Sequence, residues 1–229
     1  MHLILSLESS TAVCSVAIHN DGMLVDSIFI SEPRAASARL LVEANELLKK
    51  NSIKPKDLAA IAISSGPGSY TGLRISTSAA KGLCYALNLP LIAINSLGAL
   101  AHEAKKTIHA NLYCPMIDAR RMEVYTMLLD ENLNQVLPTE AKILSANSFE
   151  KELNSNKTAF FGDGSEKLKP LINHPNAIFV GDVHPQAKEL GELAFGKFKK
   201  NQFEDVANFE PMYLKEFMIK KAVSTEQKK

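Results

Sequence analysis

Two acids stand where chemistry could be done. Glu8 closes the apolar run Leu3–Leu7, and Asp118 closes a second run that begins at Leu112. A carboxylate at the mouth between two lobes can hold Mg²⁺ or orient an attacking group. Each acid can equally cap a turn, Glu8 toward Ser10 and Thr11, and Asp118 toward Arg120 or Arg121. Between them lies Ser65-Gly66-Pro67-Gly68-Ser69-Tyr70-Thr71-Gly72-Leu73-Arg74. A Walker A loop would carry Gly-Lys at Thr71-Gly72, and a dinucleotide fingerprint would carry glycine at 71, so both are excluded. What is left is strand, glycine loop and helix. Ser69 and Thr71 can cap the first amides of that helix, whose free N–H groups suit an anion. A plain crossover turn would use the same residues.

Metal and nucleophile sets are missing from the sequence. His102-Glu103 is followed by Ala, Lys and Lys, so the second His of an H-E-x-x-H helix is absent. His19, His109, His174 and His184 have no ligand spacing to one another. No G-x-S-x-G elbow occurs, since Gly66-Pro67-Gly68-Ser69 is off by one. Cys14, Cys84 and Cys114 form no C-x-x-C pair and sit in apolar contexts, which suits small buried hydrophobes.

The elements that position these residues read as α/β. Leu3–Leu7, Ala12–His19 and Met23–Ile30 are three strands, the last two joined by an Asp21-Gly22 turn. A helix over 35–50 buries one stripe of Leu40, Leu41, Ala44, Leu47 and Leu48. Strand 58–64 leads through the glycine loop to a helix over 72–87. Strand 91–94 and a helix from Ser96, its expected N-cap, to about Lys106 follow. The pattern then restarts with strands 112–118, 124–129 and 135–137, a helix over 145–153, strands 158–161 and 178–180, and an amphipathic helix over 185–199. Asp118 repeats the place of Glu8 110 residues later, which points to a duplicated, two-lobed chain. Residues 1–106 are expected to form the first lobe and 107–222 the second, with 223–229 a flexible tail.

The helix over 72–87 carries charge only at Arg74 and Lys81. A helix apolar or small on nearly all sides is covered on nearly all sides. A single sheet covers one face, so an association surface is expected on the other. The rest of the composition is ordinary. The 229 residues are 46% hydrophobic and 22% charged, with a net charge of +1. That balance excludes disordered and disulfide-scaffold classes and provides no field for autonomous nucleic-acid or membrane binding. The longest uncharged run, 82–101, holds Asn88, Pro90, Asn95 and Ser96 and reads as helix end, turn, strand and helix rather than a membrane span. A cytoplasmic location is expected.

The stretch Gly66–Arg74, together with Ile117-Asp118-Ala119-Arg120 and Glu123-Val124-Tyr125, resembles signatures of the TsaB family. That family is the dimerization subunit of bacterial tRNA threonylcarbamoyladenosine (t6A) synthesis. Glu210-Pro211-Met212-Tyr213-Leu214 is also similar. The resemblance implies an actin/Hsp70-like, RNase H-like fold in which each lobe is a mixed sheet with helices. It implies no catalytic residue of its own. The partner would be a homologous TsaD-like subunit that transfers threonylcarbamoyl to N6 of adenosine 37 in tRNAs reading ANN codons. A TsaE-like ATPase would join the pair, tRNA would be reached through the complex, and an isolated chain could self-pair. ATP would be used by the partner subunits, with no cofactor bound tightly here.

The catalytic relative carries an H-x-x-x-H metal motif on its first helix, where this chain reads Arg34-Ala35-Ala36-Ser37-Ala38-Arg39. The Asp-x-Gly-Thr phosphate loop of active relatives is Glu8-Ser9-Ser10-Thr11 here, without glycine. A residual anion or nucleotide cleft would comprise Glu8, Ser9, Thr11, Gly66, Gly68, Ser69, Thr71 and Asp118. The implied pairing surface lies on the first two helices, with Arg39, Val42, Glu43, Ser76, Ala79, Ala80, Leu83 and Leu87 as its residues. The competing reading is an autonomous nucleotide-binding kinase or carbamoyltransferase of the same fold, resting on Glu8, Asp118 and the glycine loop.

Overall fold

The computed structural model describes residues 1–32 and 35–215. The first half opens with β1 (Leu3–Glu8), β2 (Cys14–Asn20) and β3 (Met23–Ile30), all antiparallel. Asp21 and Gly22 both take positive φ, which matches the twist of the hairpin they close. Helix α1 (Ala36–Lys50) leads to β4 (Leu58–Gly66), which lies parallel to β1. Helix α2 (Tyr70–Leu87) then leads to β5 (Leu91–Asn95), parallel to β4. The sheet order is β3-β2-β1-β4-β5.

Helix α3 (Ser96–Lys105) links to the second half. Its N-cap is Asn95, whose side-chain oxygen accepts from the Leu97 and Gly98 amides, and not the expected Ser96, which is buried. The second half repeats the first strand for strand. β6 (Leu112–Asp118), β7 (Glu123–Asp130) and β8 (Gln135–Ile143) are antiparallel, followed by α4 (Glu150–Leu153), β9 (Thr158–Phe161), α5 (Ser165–Leu168) and β10 (Ala177–Val180). The order β10-β9-β6-β7-β8 is that of the first sheet, with β6 in the place of β1 and β9 in the place of β4. The duplication expected from Glu8 and Asp118 is therefore present in the topology. The helix expected over 145–153 is confined to its last turn, because 145–148 form a turn in which the Ser148 hydroxyl accepts from the Ser145 amide.

The two halves exchange a helix. α3 packs on the second sheet, with Leu97, Leu100, Ala101 and Ala104 against Tyr113, Ile117 and Phe161. Helix α6 (Ala187–Phe198), expected to belong to the second lobe, covers the first sheet instead. There Leu190 and Ala194 pack on Ile4, Ala60, Ala62, Ile92 and Ile94. The chain beyond it stays with the first half: Glu204 N donates to Leu91 O, Lys81 Nζ to Ala207 O, and Met212 N to Ser65 O. The physical cause is the parallel sheet core, whose apolar residues point to both faces and need cover on both. Helices α1 and α2 cover only one face.

Where α3 meets α6, charge is buried. Glu189 is fully buried, with Lys106 Nζ at 3.4 Å and Lys188 Nζ at 3.6 Å. Those lysines are shared with Glu192 and Glu103 at 3.0 Å each. Burial, aided by the neighbouring Glu103, pushes the Glu189 carboxyl up to about 8, so it is protonated at neutral pH and bonded to Glu103. Glu103 is held below its ordinary value. Among the described residues, no helix is long and apolar enough to cross a membrane. The tail expected over 223–229 lies outside the described residues, as do Lys220, Lys221 and Arg34.

Candidate functional site

The β1–β2 turn and the glycine loop are packed on each other. A Cβ at Gly68 would overlap the Ser10 carbonyl oxygen, and one at Gly72 would overlap the Ser9 carbonyl oxygen. Clearance that glycine could leave for a phosphate is thus used for the chain's own backbone. The Ser69 amide donates to Ser10 O at 2.7 Å, and the Ser9 hydroxyl donates to Gly72 O at 2.8 Å. Ser69 is the N-cap of α2 and accepts from the Gly72 amide at 3.3 Å, as expected, whereas Thr71 is exposed.

Glu8 does not face solvent. It is fully buried, accepts from the Ser10 amide at 2.6 Å, and takes the Ser64 hydroxyl on its other oxygen. Burial pushes its carboxyl up despite these bonds. The capping alternative is therefore the one realised. Asp118 also caps: one carboxylate oxygen accepts from the Arg120 amide at 2.5 Å and from Lys167 Nζ at 2.5 Å. Asp163 in turn accepts from the Asp118 amide. Glu8 presents no free carboxylate to a cation, and Asp118, 44% exposed, is already paired with Lys167. The first turn of α1 offers Ala36, Ser37 and Ala38, with no imidazole for the metal motif of the catalytic relative. The chemistry of these donors does not fit a divalent metal.

The outer face of α1 and α2 is different. Leu40, Ala44, Leu47 and Leu48 of α1 face the sheet, while Leu41 and Val42 are 48% and 56% exposed. Leu41, expected in the core stripe, is thus on the surface. On α2 the buried row is Leu73, Ser76, Thr77, Ala80 and Cys84. Ser76 and Ala80, expected at a pairing surface, belong to the sheet side. They lie one turn apart, and the 3.6-residue period puts them on the side of Leu73 and Cys84. Ile75, Ala79 and Leu83 are half-buried at the edge of the core, as is Leu87. Beyond them Tyr85 is 89% exposed. Arg39 and Glu43 pair at 2.5 Å along the rim of α1. The two helices frame a groove of about 710 Å³ between Leu41, Tyr70, Arg74, Ile75, Ser78 and Ala79. Tyr85 was the residue that sequence reasoning missed. Its signal was a large ring on a helix whose other exposed positions include Ser78, Gly82 and Ala86.

A C-terminal strap closes one end of this face. Arg74 lies over the Tyr70 ring at 4.1 Å and bonds Tyr213, whose ring is 5.0 Å from that of Tyr70. Lys215 pairs with Glu123 and donates to Ala119 O, tying the strap to the β6–β7 hairpin. At the tip of that hairpin Arg120 and Arg121 have φ of 69° and 52°. Side chains larger than glycine tolerate this region at a cost of roughly 1–2 kcal/mol per residue.

A mixed-sheet half repeated once and joined by exchanged helices is the two-lobed actin/Hsp70-like arrangement. Residues 31–228 match the sequence profile of the family described as TsaD, tRNA N6-adenosine threonylcarbamoyltransferase. The chain belongs to this family. Within the TsaD family it shares 29% identity over 217 residues with the tRNA threonylcarbamoyladenosine biosynthesis protein TsaB of Bacillus subtilis, covering 93% of each chain. It shares 29% over 219 residues with TsaB of Escherichia coli, covering 93% of this chain and 94% of that one. A crystal structure from Pseudomonas aeruginosa, titled as similar to peptidase YeaZ, superposes with a TM-score of 0.84 at 27% identity. It covers 94% of this chain and 100% of the other. A second, titled YeaZ from the same organism, gives 0.80 at 27%, covering 93% and 100%. The likeness to TsaB therefore runs along nearly the whole chain.

Proposed function

We propose that this chain is the non-catalytic, partner-binding subunit of a cytoplasmic assembly that forms threonylcarbamoyladenosine at position 37 of tRNAs reading ANN codons. The carrying observation is the pairing of a cleft filled by the chain's own backbone at Gly68 and Gly72 with an exposed apolar helix face. Glu8 is buried and bonded within the chain, while Val42, Leu41 and Tyr85 stand in water beside Leu83 and Ala79. Large apolar side chains grouped on one face of a folded chain mark an association site.

The occupant proposed is a catalytic homologue of the TsaD kind. Its own first two helices would meet these two in a near-isologous contact, since duplicated relatives keep matching surfaces. A TsaE-like ATPase would join the pair, and ATP would be consumed on those subunits. An isolated chain would use the same face for self-pairing. The relatives' printed name, threonylcarbamoyladenosine biosynthesis protein, supports the assignment to this modification.

Reconstitution tests the reading. The TsaD-like subunit with its ATPase, tRNA and substrates should make little t6A alone and substantial t6A once this chain is added. Val42→Arg and Tyr85→Glu should abolish both assembly and stimulation while the isolated chain melts as wild type. Full t6A formation without this chain would end the proposal. Tight Mg-ATP binding with turnover by the isolated chain, read by calorimetry, would favour an autonomous enzyme instead.

A further inference from the structure

The β6–β7 hairpin tip is built at a conformational cost. Arg120 and Arg121 are the only two consecutive non-glycine residues at positive φ among the described residues. The loop between β6 and β7 runs over 119–122, and positions of positive φ favour Gly, Asn or Asp, as at Asp21-Gly22 in the β2–β3 hairpin. Unfavoured backbone of this kind persists where surrounding bonds over-determine it, and it concentrates at functional positions. The bonds are present: Asp118 holds the Arg120 amide, Glu123 O takes the Ala119 amide, and Met122 O takes the Leu144 amide at 2.8 Å.

The charges around the tip are already balanced without these arginines. Asp118 pairs with Lys167 and Glu123 with Lys215. Neither the Arg120 nor the Arg121 guanidinium makes a hydrogen bond or ion pair with a described residue, whereas Arg39 and Arg74 are both engaged. Two exposed guanidinium forks therefore stand on a hydrogen-bonded tip, with Met122 45% exposed beside them. Such forks match pairs of phosphate oxygens.

We infer that the Arg120–Arg121 tip binds the phosphate backbone of RNA, a direct contact between this chain and the substrate of the assembly. This inference rests on the proposed role in tRNA modification. RNA is preferred over an acidic protein because the proposed protein face lies on α1 and α2 of the other half. A chain of net charge +1 offers no broad field, so the contact is local and adds to what the partner supplies.

The test uses the reconstituted assembly carrying Arg120→Asn with Arg121→Gly, residues that suit the turn. The variant should melt no lower than wild type and assemble normally. Its affinity for unmodified tRNA should fall about tenfold, and the slope of log affinity against log salt should weaken by about 1.4–1.8, from two lost phosphate contacts. Arg120→Lys with Arg121→Lys should restore most of the slope. Unchanged affinity and slope overturn the inference. So does loss of subunit assembly, which makes the tip a protein contact, and so does loss of Mg-ATP binding with tRNA affinity intact. A wild-type assembly that retains no tRNA overturns this inference and the proposed function together, whereas a variant equal to a tRNA-retaining wild type overturns this inference alone.

Discussion

Raising the pH from 6.5 to 8 should weaken the joint between α3 and α6 through the carboxyl of Glu189. Glu189 has an ordinary value of 4.5 and is pushed up to about 8 by burial and by Glu103. Between those values the unfolded chain has lost the proton and the folded chain keeps it. The folded state then binds more protons, so stability falls as pH rises and levels off above about 8. His19, buried on β2, is held below its ordinary 6.5 by desolvation. It acts in the opposite sense: below 6.5 the unfolded chain takes up a proton that the folded chain refuses, so stability falls as pH drops. Glu103 and Glu192 are lowered and Lys106 and Lys188 raised, so all four stay charged throughout the window. From 6.5 to 8 Glu189 is therefore unopposed. At 1.36 kcal/mol per unit, that span is worth about 2 kcal/mol. For a chain of this size it lowers the melting temperature by roughly 4–8 °C. Glu189→Gln keeps the shape and removes the proton, so its melting temperature should fall less steeply than that of the wild type over the same range, Glu8 being raised by burial in both. Calorimetric melts at half-unit steps read both curves. A wild type whose stability holds or rises from 6.5 to 8, or a Gln variant with the wild-type slope, refutes the reasoning.

Three further outcomes follow from particular contacts. Ala80→Arg should destroy the fold rather than report on pairing, because it buries an unpaired charge at a cost of about 3–5 kcal/mol, whereas Val42→Arg should leave the melt intact. Gly72→Ala should destabilise the isolated chain by on the order of 3 kcal/mol in denaturant titration, since the new methyl meets the Ser9 carbonyl and the loop must shift. Cys84 and Cys114, pushed by burial to about 11 and about 12, should resist thiol reagents at pH 8 until the chain is unfolded, and fast labelling of either in the native protein would contradict their placement.

Much of the fold was legible from local pattern. The Asp21-Gly22 hairpin and the Ser69 cap are short-range features whose chemistry is complete within a few residues, and so are the turns that Glu8 and Asp118 cap, although each acid also takes a bond from a distant residue. The α1 stripe was nearly right because four of its five residues do face the sheet, and Leu41 failed because it sits at the margin of a 100°-wide stripe. On α2 the two apolar faces could be told apart from each other but not assigned. Nothing local says that Leu73, Ala80 and Cys84 meet the sheet while Ile75, Ala79 and Leu83 meet its edge. The cleft was legible as a set of residue types and misleading as a vacancy, because the partners of Gly68 and Gly72 are Ser10 and Ser9, some sixty positions earlier.

Element types, their order and the repeat of one strand pattern 110 residues on are set by periodicity, turn chemistry and composition, all of which act between neighbours in the chain. Which helix covers which sheet is another matter. α3 and α6 have similar amphipathic patterns, and either sheet offers an apolar face to them. The exchange between halves, the burial of Glu8 and Glu189, and the outward stance of Tyr85 are settled by contacts between residues far apart in sequence. Those contacts depend on filling both faces of two sheets at once, a condition that no single segment carries.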